Sequence, residues 1–428
     1  MSASKKKTFY PWLIFGTCFL MIFVALGFGS STKGTFLTAV CGQLGLDRAK
    51  FTVNDSLRFL TTGIMALFLG KTVEKIGLRR MAGLGFLFLT ASFTVYSFAG
   101  SYAMFYLGGA LLGAGLCWTT TSMVGYIVEN WFTNGKGTVM GILLAANGLG
   151  GLASEFIVTR LIYGADLQLE AADCTWRTAY RVIAAAFLAV GILAFLVIRD
   201  KPSDVGLAPL GAGMKKKKKR GLDWEGIAPA DVYRKPYFWI SAVSVFATGL
   251  VLQSLSNISK PYMYDVGLEK SFVVYVFAAH WLVLMIAKTV SGISYDVFGM
   301  RKTHFLCCIA AAGSMLALFF LTKESTVLSF VYSFVSSFGM PLETVMIPLT
   351  VSYLVGKKAY KSVFGCFYAL NMFGYALGVP LANLFYEKQG TYKNVILIMM
   401  ILILSVTVAQ QVSFALCDRE RKRAQVNA

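Results

Sequence analysis

Gly70-Lys-Thr-Val-Glu74-Lys-Ile-Gly77-Leu-Arg79-Arg80 and Gly292-Ile-Ser-Tyr-Asp296-Val-Phe-Gly299-Met-Arg301-Lys302 are two versions of one string, 222 positions apart in a chain of 428 residues. Each has the form Gly-x3-acid-x2-Gly-x-base-base, and each sits between long apolar stretches. A single copy would carry little information. Two copies half a chain apart point to a duplicated membrane unit.

Composition excludes most other classes. The chain is 57% hydrophobic and only 14% charged, outside the range of soluble globular domains. Apolar runs of about 20 residues recur along it, each long enough to cross a bilayer core of about 30 Å. In a soluble protein the net charge of +19 would suggest nucleic acid. Here the basic residues gather in short connections on one side, about 27 of the 40 Lys and Arg, which is the positive-inside bias. That side is expected to be cytoplasmic, with both termini on it. The basic N-terminus Ser2–Lys7 leads into an apolar run without a small-residue cleavage site, which reads as a retained first span. Eight scattered cysteines and two histidines show no metal-ligand or disulfide spacing, so neither metal nor cofactor is expected.

Hydropathy predicts twelve spans: 12–41, 52–73, 81–99, 102–128, 138–163 and 178–198, then 237–262, 271–294, 303–321, 326–354, 362–386 and 394–416. They form two bundles of six, 1–198 and 236–428, joined by a polar linker, 199–235, that is expected to be mobile. The run Lys215–Arg220 within it suits anionic lipid headgroups better than nucleic acid.

Six spans plus six, with a repeated loop after the second span of each half, resembles the major facilitator superfamily. The resemblance covers nearly the whole chain. It implies an all-α membrane fold with two pseudo-symmetric six-helix bundles, working as a monomer by alternating access. It also implies that the loop residues form a cytoplasmic gate. Those are Gly70, Glu74, Gly77, Arg79 and Arg80 in the first copy, and Gly292, Asp296, Gly299, Arg301 and Lys302 in the second. In that family the loop acid pairs with bases of the same layer and latches the halves.

Charges inside spans are costly unless they face protein or water, so their positions inform. Interior or near-interior charges occur at Lys33, Arg58, Glu155, Arg160, Lys288 and Glu343, and the interiors of spans three, six, nine and twelve hold none, Arg177 and Arg181 lying at the outer end of span six. In the superfamily those four spans are peripheral. Lys33 sits in Gly27-Phe-Gly-Ser-Ser-Thr-Lys33, where glycines and hydroxyls interrupt the apolar run as they do at transporter sites. The stretch 222 residues on holds Gln253 and Asn257. Trp281, Leu284 and Lys288 share one helix face. Either lysine could instead snorkel to an interface, which is the favoured reading of Arg58 and Arg160. Glu155 reads as a buried partner of Lys33 or Arg58. Glu343, between Pro341 and Pro348, reads as a proton carrier or as the counter-ion of Lys288.

Thr32-Lys33-Gly-Thr-Phe-Leu-Thr is similar to the first helix of monocarboxylate transporters, where a lysine binds substrate. Leu284-Met-Ile-Ala-Lys288 resembles that family's Asp-x3-Arg element, with leucine for the carboxylate and lysine for the arginine. Phe364-Gly-Cys-Phe-Tyr368-Ala-Leu-Asn371 resembles span eleven of oxalate–formate antiporters, with Asn371 where they carry lysine. Arg199-Asp-Lys-Pro after span six and Trp176-Arg177 before it are shared with the same branch. The resemblance implies a secondary transporter of small carboxylates, with Lys33 and Lys288 binding the anion from opposite halves. Asn371, Gln253 and Asn257 would add hydrogen bonds, and Trp118, Tyr126 and Trp281 would shape the cavity. Two rivals stand beside it: a proton-driven exporter of lipophilic or cationic compounds using Glu155 and Glu343, and a non-transporting membrane sensor. No nucleophile–base constellation suggests an enzyme.

Overall fold

The computed structural model describes residues 3–164, 174–211 and 226–426, so Lys215–Arg220 lie outside the described residues, as does the side chain of Glu155. The described residues are helical, with one isolated bridge between Phe132 and Leu210. The chain divides into two compact units, Met1–Met214 and Lys215–Ala428.

The N-terminal unit contains α1 (Ala3–Ser30), α2 (Lys33–Leu44), α3 (Arg48–Leu67), α4 (Leu69–Ile76), α5 (Leu78–Phe98), α6 (Tyr102–Thr119), α7 (Thr121–Trp131), α8 (Lys136–Tyr163) and α9 (Trp176–Val197). The C-terminal unit contains α10 (Pro229–Val232), α11 (Pro236–Asp265), α12 (Lys270–Phe298), α13 (Met300–Phe319), α14 (Thr326–Gly339), α15 (Pro341–Thr344), α16 (Met346–Gln389) and α17 (Lys393–Val426). Among the described residues, ten helices are long and apolar enough to cross a membrane. The difference from twelve has two causes. Span two falls largely in α3, which carries Arg48, Lys50, Asp55 and Arg58, too many charges for an apolar window. Spans ten and eleven run together in α16, which is two helices meeting at Gly356, a residue with φ of 67°.

Internal packing repeats along with sequence. In the N-terminal unit α1 packs on α8, α3 on α6, and α5 on both α6 and α9. In the C-terminal unit α11 packs on α16, α12 on α14, and α13 on both α14 and α17. The first contact of each set needs a glycine at the same register. A Cβ on Gly27 would sit 2.4 Å from the Gly150 backbone, and one on Gly249 would sit 2.5 Å from the carbonyl oxygen of Asn371. Helices without a hydrophobic drive to associate use such small-residue contacts to come close.

Breaks recur too. Span four separates into α6 and α7 at Thr120, and span ten is broken around Pro341. In the first case hydroxyls bond carbonyls of the last turn of α6, Thr120 that of Leu116 at 2.6 Å and Ser122 that of Cys117. In the second a proline removes the donor. Span one breaks after Ser31, so Lys33 opens α2, whereas its counterpart α11 is continuous.

Where the linker is described, its ends are hydrogen-bonded to helices of their own units. The Trp131 indole donates to the Arg199 carbonyl at 3.1 Å, and the Asn130 amide to that of Asp200 at 3.0 Å. Leu210 exchanges backbone bonds with Trp131 and Thr133. At the far end, Ile227 donates to Val355 and Lys235 pairs with Glu420. Polar composition here serves docking through backbone groups, which hydropathy cannot register.

Candidate functional site

The interrupted first span places Lys33 opposite α3. Its ammonium pairs with the Asp55 carboxylate, which lies 3.9 Å from Arg58 Nε. Arg58 also donates to Ser30 Oγ at 3.0 Å. The Phe59 ring lies under both cations, 4.1 Å from the guanidinium carbon and 5.3 Å from the ammonium. Among the described residues, Lys33 and Arg58 share this acid in a cluster whose lysine side chain is 29% exposed and whose carboxylate is 37% exposed. Arg58 does not snorkel; it is only 4% exposed and is turned inward. Among the described residues the acid beside both cations is Asp55; the side chain of Glu155, the partner expected from sequence, lies outside them. Arg160, by contrast, is exposed.

In the C-terminal unit Lys288 of α12 is 2% exposed and Glu343 of α15 is 7% exposed. Each feels the other's charge, yet among the described residues no carboxylate lies within 4 Å of the ammonium. The Tyr375 hydroxyl reaches the Glu343 carboxyl, while its buried Oε1 has no hydrogen-bond partner among the described residues. Prolines on both sides open the helix there, which lets a carboxyl sit beside irregular backbone. Trp281 shares the α12 face with Lys288 and is half-buried. Two turns before Lys288, the His280 Nδ1 meets the hydroxyls of Ser336 at 3.2 Å and Ser337 at 2.9 Å. This imidazole was absent from the sequence-based set, although Ser333, Ser336 and Ser337 fall at i, i+3 and i+4 on one helix face.

The remaining expected contacts divide. Gln253 is half-buried, but Asn257 is exposed and returns its amide to the Gln253 carbonyl at 2.8 Å. Asn371 is fully buried and donates to the Val245 carbonyl at 3.3 Å, inside the α11–α16 contact. Trp118 is buried against Gly85 and Phe88 of α5, which makes it part of the α5–α6 packing. Tyr126 is 1% exposed within α7.

The repeated loop uses its bases differently from the expectation. Glu74 is exposed and pairs with no base among the described residues. Arg79 instead donates from Nε to the Phe195 carbonyl at 2.6 Å, and its backbone N–H donates to Asp200 Oδ1 at 3.0 Å. Asp200 thus caps the start of α5, where exposed N–H groups favour an anion. In the second copy Arg301 lies 3.7 Å from the Asp418 carboxylate, and Gln411 donates to the Arg301 carbonyl at 2.9 Å. Each loop base is therefore moored to the end of the last helix of its own unit. Gly77 and Gly299 both adopt positive φ, 84° and 81°. Only at Gly77 would a Cβ also strike something, the Asp200 carboxylate at 2.2 Å. Gly70, Gly292 and half-buried Asp296 lie in the helices leading into the turns, and Arg80 and Lys302 are exposed.

Known proteins give a consistent frame. The chain is 23% identical over 386 residues to the uncharacterized MFS-type transporter YcxA of Bacillus subtilis, covering 86% of each chain. It is 31% identical over 159 residues to the MFS-type transporter pytF of Aspergillus terreus, covering 36% of this chain and 52% of the relative. Among solved structures, it matches the fucose transporter FucP in the outward conformation with a TM-score of 0.69 at 12% identity, covering 94% of this chain and 98% of the other. It matches the proton:xylose symporter XylE with a TM-score of 0.71 at 13% identity, covering 94% and 95%. At these identities the structures speak for the fold alone. The family model of the Major Facilitator Superfamily matches residues 17–378 and, a second time, 242–427. Duplicated loops, repeated helix contacts and this double match lead to one conclusion: the chain is a membrane transporter belonging to the major facilitator superfamily.

Proposed function

We propose that this transporter carries small organic anions, a monocarboxylate or dicarboxylate, by secondary active transport with alternating access. The observation that supports the reading is positive charge within the helices that is incompletely matched by contacting acids among the described residues. Lys33 and Arg58 share one carboxylate, and Lys288 keeps Glu343 at a distance. A cation held in a span without a contacting acid costs several kcal/mol, which an arriving carboxylate offsets. Lysine presents a point charge rather than a bidentate fork, so the reading expects modest discrimination by carboxylate geometry. The same basic loops make the side bearing both termini cytoplasmic.

A rival cargo is favoured by one observation, the unsatisfied oxygen of Glu343. A buried acid of that kind suits proton-driven export of a lipophilic cation. Thermal unfolding of the purified protein separates the two. Lactate, oxalate or formate should raise the midpoint saturably. Stabilisation by hydrophobic cations alone would overturn the anion reading in favour of its rival.

A further inference from the structure

A separate polar place lies inside the C-terminal unit, where α11, α13, α16 and α17 converge. Its cavity leaves about 10 Å³ for the centre of a water-sized sphere, close to the room one water or small ion needs. Ser244, Thr248, His304, Thr350, Asn371 and Gln410 supply its polar lining, and all six are buried.

The directions of the surrounding hydrogen bonds decide what this cavity can accept. Ser413 Oγ donates to the Tyr237 carbonyl at 2.7 Å, so it accepts from Ser241 Oγ at 2.7 Å. Ser241 has then spent its proton and accepts from Gln410 Nε2 at 2.9 Å. This relay fixes the Gln410 amide with its nitrogen toward Ser241. Asn371 is fixed in the same way, because its Nδ2 donates to the Val245 carbonyl at 3.3 Å. The two amide oxygens, Asn371 Oδ1 and Gln410 Oε1, are left buried with no hydrogen-bond partner among the described residues. Ser244 and Thr248 donate to their own helix, to the carbonyls of Ile240 at 2.7 Å and Ser244 at 2.8 Å. They too offer the cavity only lone pairs. His304 turns Nδ1 toward Cys308 Sγ at 3.4 Å.

We propose that this cavity binds one sodium-sized monovalent cation through the oxygens of Asn371, Gln410, Ser244, Thr248 and Thr350. A water has two protons to give, whereas a hard cation draws on every lone pair that faces it. All five ligands are neutral and no carboxylate lines the cavity, so a single charge is compensated where a double one would not be. Thr350 precedes the kink at Gly356 and Asn371 follows it, so a bound ion ties both arms of α16 to α11 and α17.

The test is thermal unfolding of the full chain in detergent, with sodium replaced by potassium or choline at constant ionic strength. The site predicts a saturable rise in midpoint with sodium, a smaller one with potassium and none with choline. Thr248→Val and Thr350→Val, near in shape, should each raise half-saturation by about tenfold or more, and Asn371→Leu should abolish the response. Should Asn371→Leu fail to fold, the valine variants still decide. A wild-type midpoint indifferent to sodium would overturn the proposal and leave the cavity to a water. A sodium response unchanged in both valine variants would equally overturn it by placing the ion elsewhere.

Discussion

The two units share a scaffold but handle buried charge in opposite ways. In the N-terminal unit the first helix breaks, and Lys33 finds Asp55 and Arg58 in a half-open cluster. In the C-terminal unit the corresponding helix is continuous. The cation has moved to α12, where Lys288 is buried and held apart from Glu343. What duplicates well is packing: glycine contacts at the same register, the same helix pairs, and loop bases moored to the last helix. Charge placement has diverged. Packing serves any cargo, whereas the charges answer to a particular one.

Several experiments press on that contrast. The largest difference is expected between the lysines. Lys288→Gln removes a buried cation with no substitute and should weaken anion-induced thermal stabilisation by roughly 100-fold, whereas Lys33→Gln leaves Arg58 in place and should cost roughly tenfold. Equal losses would mean that the two clusters are equivalent after all. Next are the loop glycines. Gly77→Ala meets both a left-handed backbone and the Asp200 carboxylate, and should cost about 2–3 kcal/mol in unfolding free energy. Gly299→Ala meets only the backbone and should cost about 1–2 kcal/mol; the reverse order would refute the capping role of Asp200. Asp55→Asn removes the acid that two neighbouring cations share. Because the acid is more than a third exposed, about 1 kcal/mol is expected, between the values for surface and buried pairs. Asn257→Ala should stay within about 0.5 kcal/mol in stability and leave anion binding unchanged, since its amide serves its own helix.

Much of the fold was legible because it is written in periods. Hydropathy marks the spans, and the repeat marks the two units. Where the reading stopped, the missing information was rotational. Asp55 stands three residues before Arg58, but which face of α3 meets Lys33 depends on the phase of two helices, which a single sequence does not set. Asp200 and Asp418 were likewise invisible as anchors for Arg79 and Arg301, because those contacts link segments more than 100 residues apart. His280 is one of two histidines without metal-ligand spacing, and the serines that face it fall on one helix face in the sequence. Asn257 shows the opposite error, since a polar side chain inside a helix often bonds its own backbone.

Counterflow in proteoliposomes loaded with unlabelled carboxylate tests the central claim most directly. Labelled lactate, oxalate and formate would be offered to the wild type and to Lys288→Gln, with thermal unfolding confirming that the variant is folded. The account predicts saturable accumulation of at least one of these anions by the wild type and its loss in the variant. Accumulation that persists undiminished in folded Lys288→Gln would contradict it.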